Sequence, residues 1–484
     1  MITWGVSANE HDASLAVIAG EEILFASHSE RFSRKKNDSH LNEPLLEAAR
    51  AFGEPHRIVW YEKPFPKRLR KAYAGQPGVF RRDGARYLKD LGVHAPVHYV
   101  GHHKAHAAAG FYTSPFDEAA VLVVDAIGEW DTVSLWEARG SELKLRWSQR
   151  YPHSLGLLYS AFTQRIGFKP NEEEYIVMGA SAYGSPDYIS QIDEDLIANR
   201  TPPDFKLRLN VHKGIKWWRP QIDDTMGIAA SIQAVTEEYM VGMARWAAET
   251  TGMKQLVLGG GVALNCVANS KIALDGAFDD FWIFPNPGDA GSSIGAVAAL
   301  ERRRLNWVHP YLGYDIQRPL DHEGVCEALV AGEVVALANG RAEFGPRALG
   351  NRSLLADPRG PETKDRVNRI KKREMFRPFA PVIMAEHAHD YFEMPIPSSP
   401  YMQFVAPVKR TDLFPAISHV DGTARVQTVT AEQNPAFYRL LERFFQATGC
   451  PMLLNTSLNI KGEPLVNSWD DALRFSELHG VKLF

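Results

Sequence analysis

The sequence predicts an α/β protein of two domains, and three features carry that prediction. Apolar runs at 2–6, 15–18 and 23–27 read as three successive short strands. Farther on, strand-like runs at 120–125 and 255–259 end in an aspartate or a glycine turn and are followed by helix-like sequence, the alternation of a sheet with covering helices. An irregular stretch at 305–324, holding Pro310 and Pro319, precedes a new strand at 333–338, so the boundary is expected between residues 308 and 309.

A chain of 484 residues exceeds one core and suits two or three domains. With 45% apolar and 23% charged residues it is globular in composition. No apolar run is long enough to span a bilayer, so no membrane partner is expected. The N-terminus lacks the charged segment and cleavage site of a signal peptide. Cys266, Cys326 and Cys450 are scattered and imply no disulfide framework, which fits a cytoplasmic protein. A net charge of −4 exerts no general pull on nucleic acid.

Between the first two strands lies the small, polar turn 7–14. Its His11 titrates near neutral pH and is a candidate general base, with hydrogen bonding of the turn as the plain alternative. The charged segment 29–38 could clamp a ligand or be solvated. Residues 63–89 hold nine Lys or Arg and one acid, either a solvated face or a steering patch for an anionic acceptor.

The run 97–100 reads as a strand entering a helix. On that helix His102 and His106 share a face at i, i+4, a spacing that suits two imidazoles on one metal, although His103 could stand in for His102. Asp125 ends the strand 120–125, and Asp289 sits in the Gly-rich turn after the strand 281–284. Ligands in α/β sheets bind beyond the carboxyl ends of strands, and two imidazoles with two carboxylates suit Fe(II), Mn(II) or Zn(II).

Strands are expected at 132–137 and 143–147, and helices at 154–166, 225–250 and 292–303. The segment 200–222 is Pro-rich; its Trp217 and Trp218 could stack on a ligand or pack as core. Gly259, Gly260 and Gly261, with Asn265, form a strand–glycine–helix turn through which a nucleotide could approach the backbone. Polar turns at both ends of the domain and this glycine loop suggest two lobes around a cleft. Past the boundary, arginines recur in Gly/Pro-rich turns, a pattern suited to several phosphates.

Taken together, the motifs Asn9-x-His11-Asp12-Ala13, His102-His103-x-Ala105-His106, Asp125-x-x-Gly128-Glu129, Gly259-Gly-Gly-Val-Ala-x-Asn265 and Gly288-Asp-Ala-Gly291 resemble the NodU/CmcH family of O-carbamoyltransferases. So do the C-terminal runs 343–353, 377–381, 419–425 and 455–457. The resemblance implies an actin/sugar-kinase-like, two-lobed metal and acceptor domain over 1–308. A YrdC-like twisted-sheet domain that forms carbamoyladenylate would follow over 309–484. It implies metal ligation by His102, His106, Asp125 and Asp289, with Fe(II) or another divalent ion, and His11 as the acceptor-side base. Gly259–Gly261 and Asn265 would meet nucleotide; Arg347, Arg352, Lys372, Arg377, Arg425, Asn455 and Ser457 would meet phosphate and carbamoyl groups. The implied partners are carbamoyl phosphate, ATP with Mg(II), and a hydroxyl-bearing small molecule such as a sugar or other specialised metabolite. Two other readings stand beside this one: carbamoylation of a nucleotide or nucleic acid, and a nucleotide-binding regulator without turnover. This chain departs from the family where it reads Glu174-Tyr-Ile-Val-Met-Gly179 and Ser181-Ala-Tyr-Gly184.

Overall fold

In the computed structural model, residues 1–76, 79 and 83–484 are described. The chain forms two compact units, the first comprising Met1–Ser29 and Asn37–Trp307, the second Glu30–Lys36 and Val308–Phe484. The segment 30–36 thus belongs to the second unit, though it lies far from it in sequence.

The first unit is built on two five-stranded sheets. In one, β1 (Ile2–Ser7), β2 (Ser14–Ala19) and β3 (Glu22–His28) form an antiparallel meander, and β4 (Arg57–Trp60) and β5 (Val97–Tyr99) add in parallel on the far side of β1. The strand order is β3-β2-β1-β4-β5. The other sheet repeats that plan. β6 (Glu118–Val124), β7 (Asp131–Arg139) and β8 (Glu142–Arg150) make the meander, and after the short pair β9 (Ile197–Asn199) and β10 (Lys206–Leu207), β11 (Gln255–Gly259) and β12 (Asp280–Ile283) extend it in parallel. Its order is β12-β11-β6-β7-β8. The parallel central strands read as continuous apolar runs because both faces are covered: every residue from Ala119 to Val124 is buried.

Two helices rich in small residues, His102–Phe111 and Ser292–Glu301, pack on each other and against the sheets. Their close approach needs glycine: a Cβ at Gly295 would fall 2.0 Å from the Ala105 carbonyl oxygen. This crossing sets the first turns of the two helices against each other, the geometry on which the site depends. The long helix Thr225–Thr251 starts at an Asp224 cap and stops at Gly252, φ 67°, close to the expected 225–250.

In the second unit, β13 (Tyr311–Ile316) pairs with β15 (Gly340–Glu343). A mixed six-stranded sheet uses β14 (Val335–Ala338), β16 (Arg352–Ala356), β17 (Ala380–Met384), β20 (Gln427–Val429), β21 (Met452–Ser457) and β22 (Lys482–Leu483) in the order β20-β17-β21-β16-β14-β22. A two-stranded pair, β18 (Val405–Pro407) and β19 (Thr423–Arg425), lies beside it. Its core joins Leu354, Val382, Leu453 and the amphipathic helix Pro435–Thr448.

Two expectations need correction, and the tryptophan pair divides between its readings. The stretch 305–324 is not all linker, since β13 lies within it, flanked by the prolines that disguised it. The run 63–89 is not simply a solvated face, because the helix Pro64–Tyr73 buries Lys67, Arg70 and Lys71. Arg81 and Arg82, read as part of that run, lie outside the described residues. Trp218 is buried with its indole N–H on Asp195, and Trp217 is exposed.

Candidate metal and carbamoyl site

The helix His102–Phe111 begins at β5, so its first residue lies at the carboxyl edge of one sheet. His102 and His106, one turn apart, are both buried. Asp125 follows the last residue of β6, and Asp289 opens the turn ahead of the helix Ser292–Glu301. The crossing of the two helices therefore brings together four residues from three separate segments.

His102 Nε2 lies 3.0 Å from His106 Nε2, 3.1 Å from Asp125 Oδ2 and 3.3 Å from Asp289 Oδ1. His106 Nε2 lies 3.3 Å from Asp289 Oδ1 and 3.7 Å from Asp125 Oδ2. One ligand atom from each residue falls within 4.8 Å of all the others. An ion about 2.1 Å from each donor would space neighbouring donors roughly 3.0 Å apart at right angles and about 3.4 Å at tetrahedral angles. The set suits a divalent cation in chemistry, and the four shortest separations match such spacings. The electrostatics agree. Burial works against a charged His102, yet Asp289 and Asp125 hold its imidazole well above the ordinary value. Burial likewise works against the charged forms of Asp125 and Asp289, yet the imidazoles keep both acidic. The cluster demands positive charge.

The surroundings orient these donors. Ser292 Oγ lies 3.3 Å from His106 Nδ1, and the Gly261 N–H donates to Asp125 Oδ1 at 3.0 Å. Such outer contacts set ring tautomer and carboxylate orientation. Glu129 accepts from the His102 N–H at 3.0 Å and from the Lys63 N–H at 2.7 Å, capping the helix of His102 and His106. His103 is turned elsewhere: its Nδ1 meets Ser134 Oγ at 2.7 Å, and burial, with the His102 charge, depresses its pKa to about 3.

His11 reaches the cluster from the β1–β2 turn, with Nε2 3.8 Å from Asp289 Oδ2. Its side chain is 45% exposed, the open side of the site. Against desolvation, Asp12, Asp289 and Asp125 raise its imidazole to about 10. Acceptance of a proton there depends on the carboxylates being balanced by another cation.

The glycine loop is shaped by the protein's own packing. Gly260 has φ 85°, and a Cβ on it would stand 2.3 Å from the Val124 carbonyl oxygen. Asn265 exchanges hydrogen bonds with Gln233 and caps the helix Cys266–Asp275 through the Ala268 N–H, so its amide is engaged within the fold. Gly259 backs onto the His106 carbonyl.

A cationic cluster stands in the second unit. Lys371, at the C-cap of the helix Thr363–Ile370, is buried and donates to the Ser457 hydroxyl at 3.1 Å, the Asn459 carbonyl at 2.9 Å and Asn459 Oδ1 at 3.0 Å. Burial first, then the charges of Arg373 and Arg377, push its pKa well down. Arg373, which also donates to Asn368 Oδ1 at 2.6 Å, and Arg377 place further positive charge beside it. Lys372, expected among the phosphate contacts, is exposed with φ 50°. Its neighbour Lys371 lies four residues past buried Val367 and shares its face.

The other expected residues differ in setting. Arg352, expected among the phosphate contacts, is fully buried and donates to the carbonyls of Asn339, Gly340, Asn351, Tyr314 and Asn467, so its donors are engaged within the fold. Asn455 is buried, with its amide on Gln427 and on the Ala348 carbonyl. Arg347 and Arg425 are partly exposed, and Arg377 lies 3.5 Å from Glu374. The segment 30–36 braces the same unit, with Arg31 donating to the Gly345 carbonyl at 2.8 Å and Arg34 to the Pro464 carbonyl at 3.0 Å.

Comparison with known proteins adds the chemistry. Residues 61–298 match the family profile described as "Carbamoyltransferase N-terminus", and residues 326–484 match "Carbamoyltransferase C-terminus". An uncharacterized protein of Synechocystis, sll1178, is 38% identical over 97% of this chain and 93% of its own. The 3'-hydroxymethylcephem-O-carbamoyltransferase of Amycolatopsis lactamdurans is 30% identical over 97% of this chain and 95% of its own. Nodulation protein NolNO of Sinorhizobium fredii is 36% identical over 78% of this chain and 61% of its own. Among solved structures, T. kodakarensis HypF matches with a TM-score of 0.35 and 13% identity, over 62% of this chain and 47% of that one.

Proposed function

This chain belongs to the NodU/CmcH carbamoyltransferase family and is a carbamoyltransferase, and from that premise we propose that it carries a carbamoyl group from carbamoyl phosphate to a hydroxyl of a small-molecule acceptor by way of carbamoyladenylate. In the second unit, carbamoyl phosphate, ATP and water yield carbamoyladenylate, phosphate and pyrophosphate. In the first, the acceptor hydroxyl attacks the carbamoyl carbon and AMP leaves. The single observation that carries the reading is the buried two-histidine, two-aspartate constellation beside the half-exposed His11.

The roles divide by chemistry. Lys371, Arg373 and Arg377 suit the charge of carbamoyl phosphate and of the ATP phosphates, the latter with Mg(II), and Ser457 and Asn459 orient Lys371. Arg347 and Arg425 are the further cations expected there. His102, His106, Asp125 and Asp289 would hold a divalent cation such as Fe(II), which when bound polarises a carbonyl as a Lewis acid. His11 takes the hydroxyl proton as the carbamoyl carbon is approached. The relatives' names point to a specialised metabolite, such as a hydroxymethyl cephem, as the class of acceptor. A nucleic-acid acceptor is disfavoured, since Lys67 and Lys71 of the basic run turn inward onto carboxylates.

The test is a panel of hydroxyl acceptors that includes 3'-hydroxymethylcephem, incubated with the full chain, ATP and carbamoyl phosphate and read by mass. A carbamoyl mass gain with matching AMP and pyrophosphate is expected. AMP and pyrophosphate formation that ignores carbamoyl phosphate would contradict the reading.

A further inference from the structure

The turn that presents His11 is conformationally costly. Asn9 and Asp12, on either side of Glu10 and His11, both take left-handed backbone angles, φ 76° and 54°. Asn and Asp tolerate that region better than most residues, but the turn still needs outside restraint. Two backbone bonds supply part of it, from the Asn9 N–H to Ser39 and from the Ala13 N–H to Asp38, each 2.8 Å.

Glu10 supplies a further anchor. One oxygen of its carboxylate takes Lys67 Nζ at 2.6 Å and Lys71 Nζ at 2.7 Å. These lysines are i, i+4 on the helix Pro64–Tyr73, are both buried, and Lys67 also pairs with buried Glu62. Burial opposes ionisation of Glu10, but the Lys67 and Lys71 charges bring its carboxyl down to about 2. The helix is tied to the metal side too: Lys63 at its N-cap donates its N–H to Glu129 Oε1, and Arg70 Nε donates to the Glu129 carbonyl at 3.0 Å. Glu129 is the residue that caps the helix of His102 and His106. One helix thus fixes both the His11 turn and the metal-side helix.

We propose that Glu10, held by Lys67 and Lys71, is a positioning residue that sets His11 against Asp289 for attack on the carbamoyl carbon. The inference rests on the reading of His11 as the acceptor-side base. Glu10 touches neither acceptor nor metal ligand; it acts through the turn it anchors.

The test uses the full chain and two readouts. Hydrogen exchange of peptides covering residues 8–13 should speed up on the order of 10-fold in Glu10→Gln and in Lys71→Met, with exchange of the His102 helix little changed. Lys71→Arg should restore protection. In transfer to 3'-hydroxymethylcephem, Glu10→Gln should slow turnover about 10-fold in the parent, with an unchanged apparent KM for the acceptor. It should add nothing in a His11→Asn background, because residues acting as one unit are not additive. Unchanged exchange in both variants, or full additivity with His11→Asn, overturns the inference. A His11→Asn variant as fast as the parent instead overturns the reading beneath it, whatever the exchange shows.

Discussion

The Nε2 atoms of His102 and His106 face each other at 3.0 Å, with Asp289 Oδ1 3.3 Å from both. That separation of two buried imidazole nitrogens, both against one carboxylate, is the spacing on which the proposal of a shared cation rests. Removing one of the four donors should therefore be felt first in metal content. His106→Ala is expected to weaken metal binding on the order of 100-fold or more, since even outer-shell changes cost 10–100-fold. Elemental analysis of the purified variant, beside pyrophosphate release, checks this: metal is lost and adenylate formation survives.

Lys371 and Lys372 should behave oppositely. Loss of a charged hydrogen-bonding group at an anion site costs about 1.5–3 kcal/mol, on the order of 10–100-fold. Lys371→Met should cut carbamoyl-phosphate-dependent pyrophosphate release by that factor, while chemically supplied carbamoyladenylate is still transferred. Lys372→Met, at an exposed position, should stay within about 0.5 kcal/mol of the parent in stability and keep its rate.

Arg352 should matter to folding rather than to one reaction. Arg352→Ala leaves a cavity at a fully buried side chain and removes donors from the Asn467, Asn339 and Tyr314 carbonyls, and a loss of roughly 3 kcal/mol or more is expected in denaturant unfolding of the second unit. A variant of parental stability with a selective loss of adenylate synthesis would restore the phosphate role.

The Glu10 cluster sets an acid limb. Its carboxyl is lowered from 4.5 to about 2 on folding, so its contribution is fully present above about pH 4.5 and is lost as pH falls toward 2. Glu10→Gln should lower stability at neutral pH and flatten the dependence between those values, as thermal melts across the range will report.

Much of this arrangement could be read from residue spacing, and the failures have physical causes. The i, i+4 histidines and the aspartates at strand ends were legible because a helical period and a strand terminus each leave a local mark. The doubling of one strand plan in the first unit left none: Ile2–Ser7 and Glu118–Val124 hold equivalent places with unlike sequences, since a buried strand asks only for apolar residues. The basic run misled because charge count says nothing of direction; Lys67 and Lys71 are buried only because Glu10 and Glu62 await them from elsewhere in the chain. Arg352 is ambiguous in a similar way, as a guanidinium satisfied by carbonyls looks in sequence like one satisfied by phosphate.

The central claim is that adenylate formation and hydroxyl carbamoylation occur at separate sites of one chain. The most direct measurement follows both products at once, pyrophosphate and carbamoylated acceptor, in the parent, in Lys371→Met and in His106→Ala. The account predicts that Lys371→Met loses both products from carbamoyl phosphate but regains the carbamoylated acceptor when carbamoyladenylate is supplied. It predicts that His106→Ala keeps pyrophosphate release and makes no carbamoylated acceptor from either donor. Equal loss of both products in each folded variant, with no rescue by the adenylate, would contradict it.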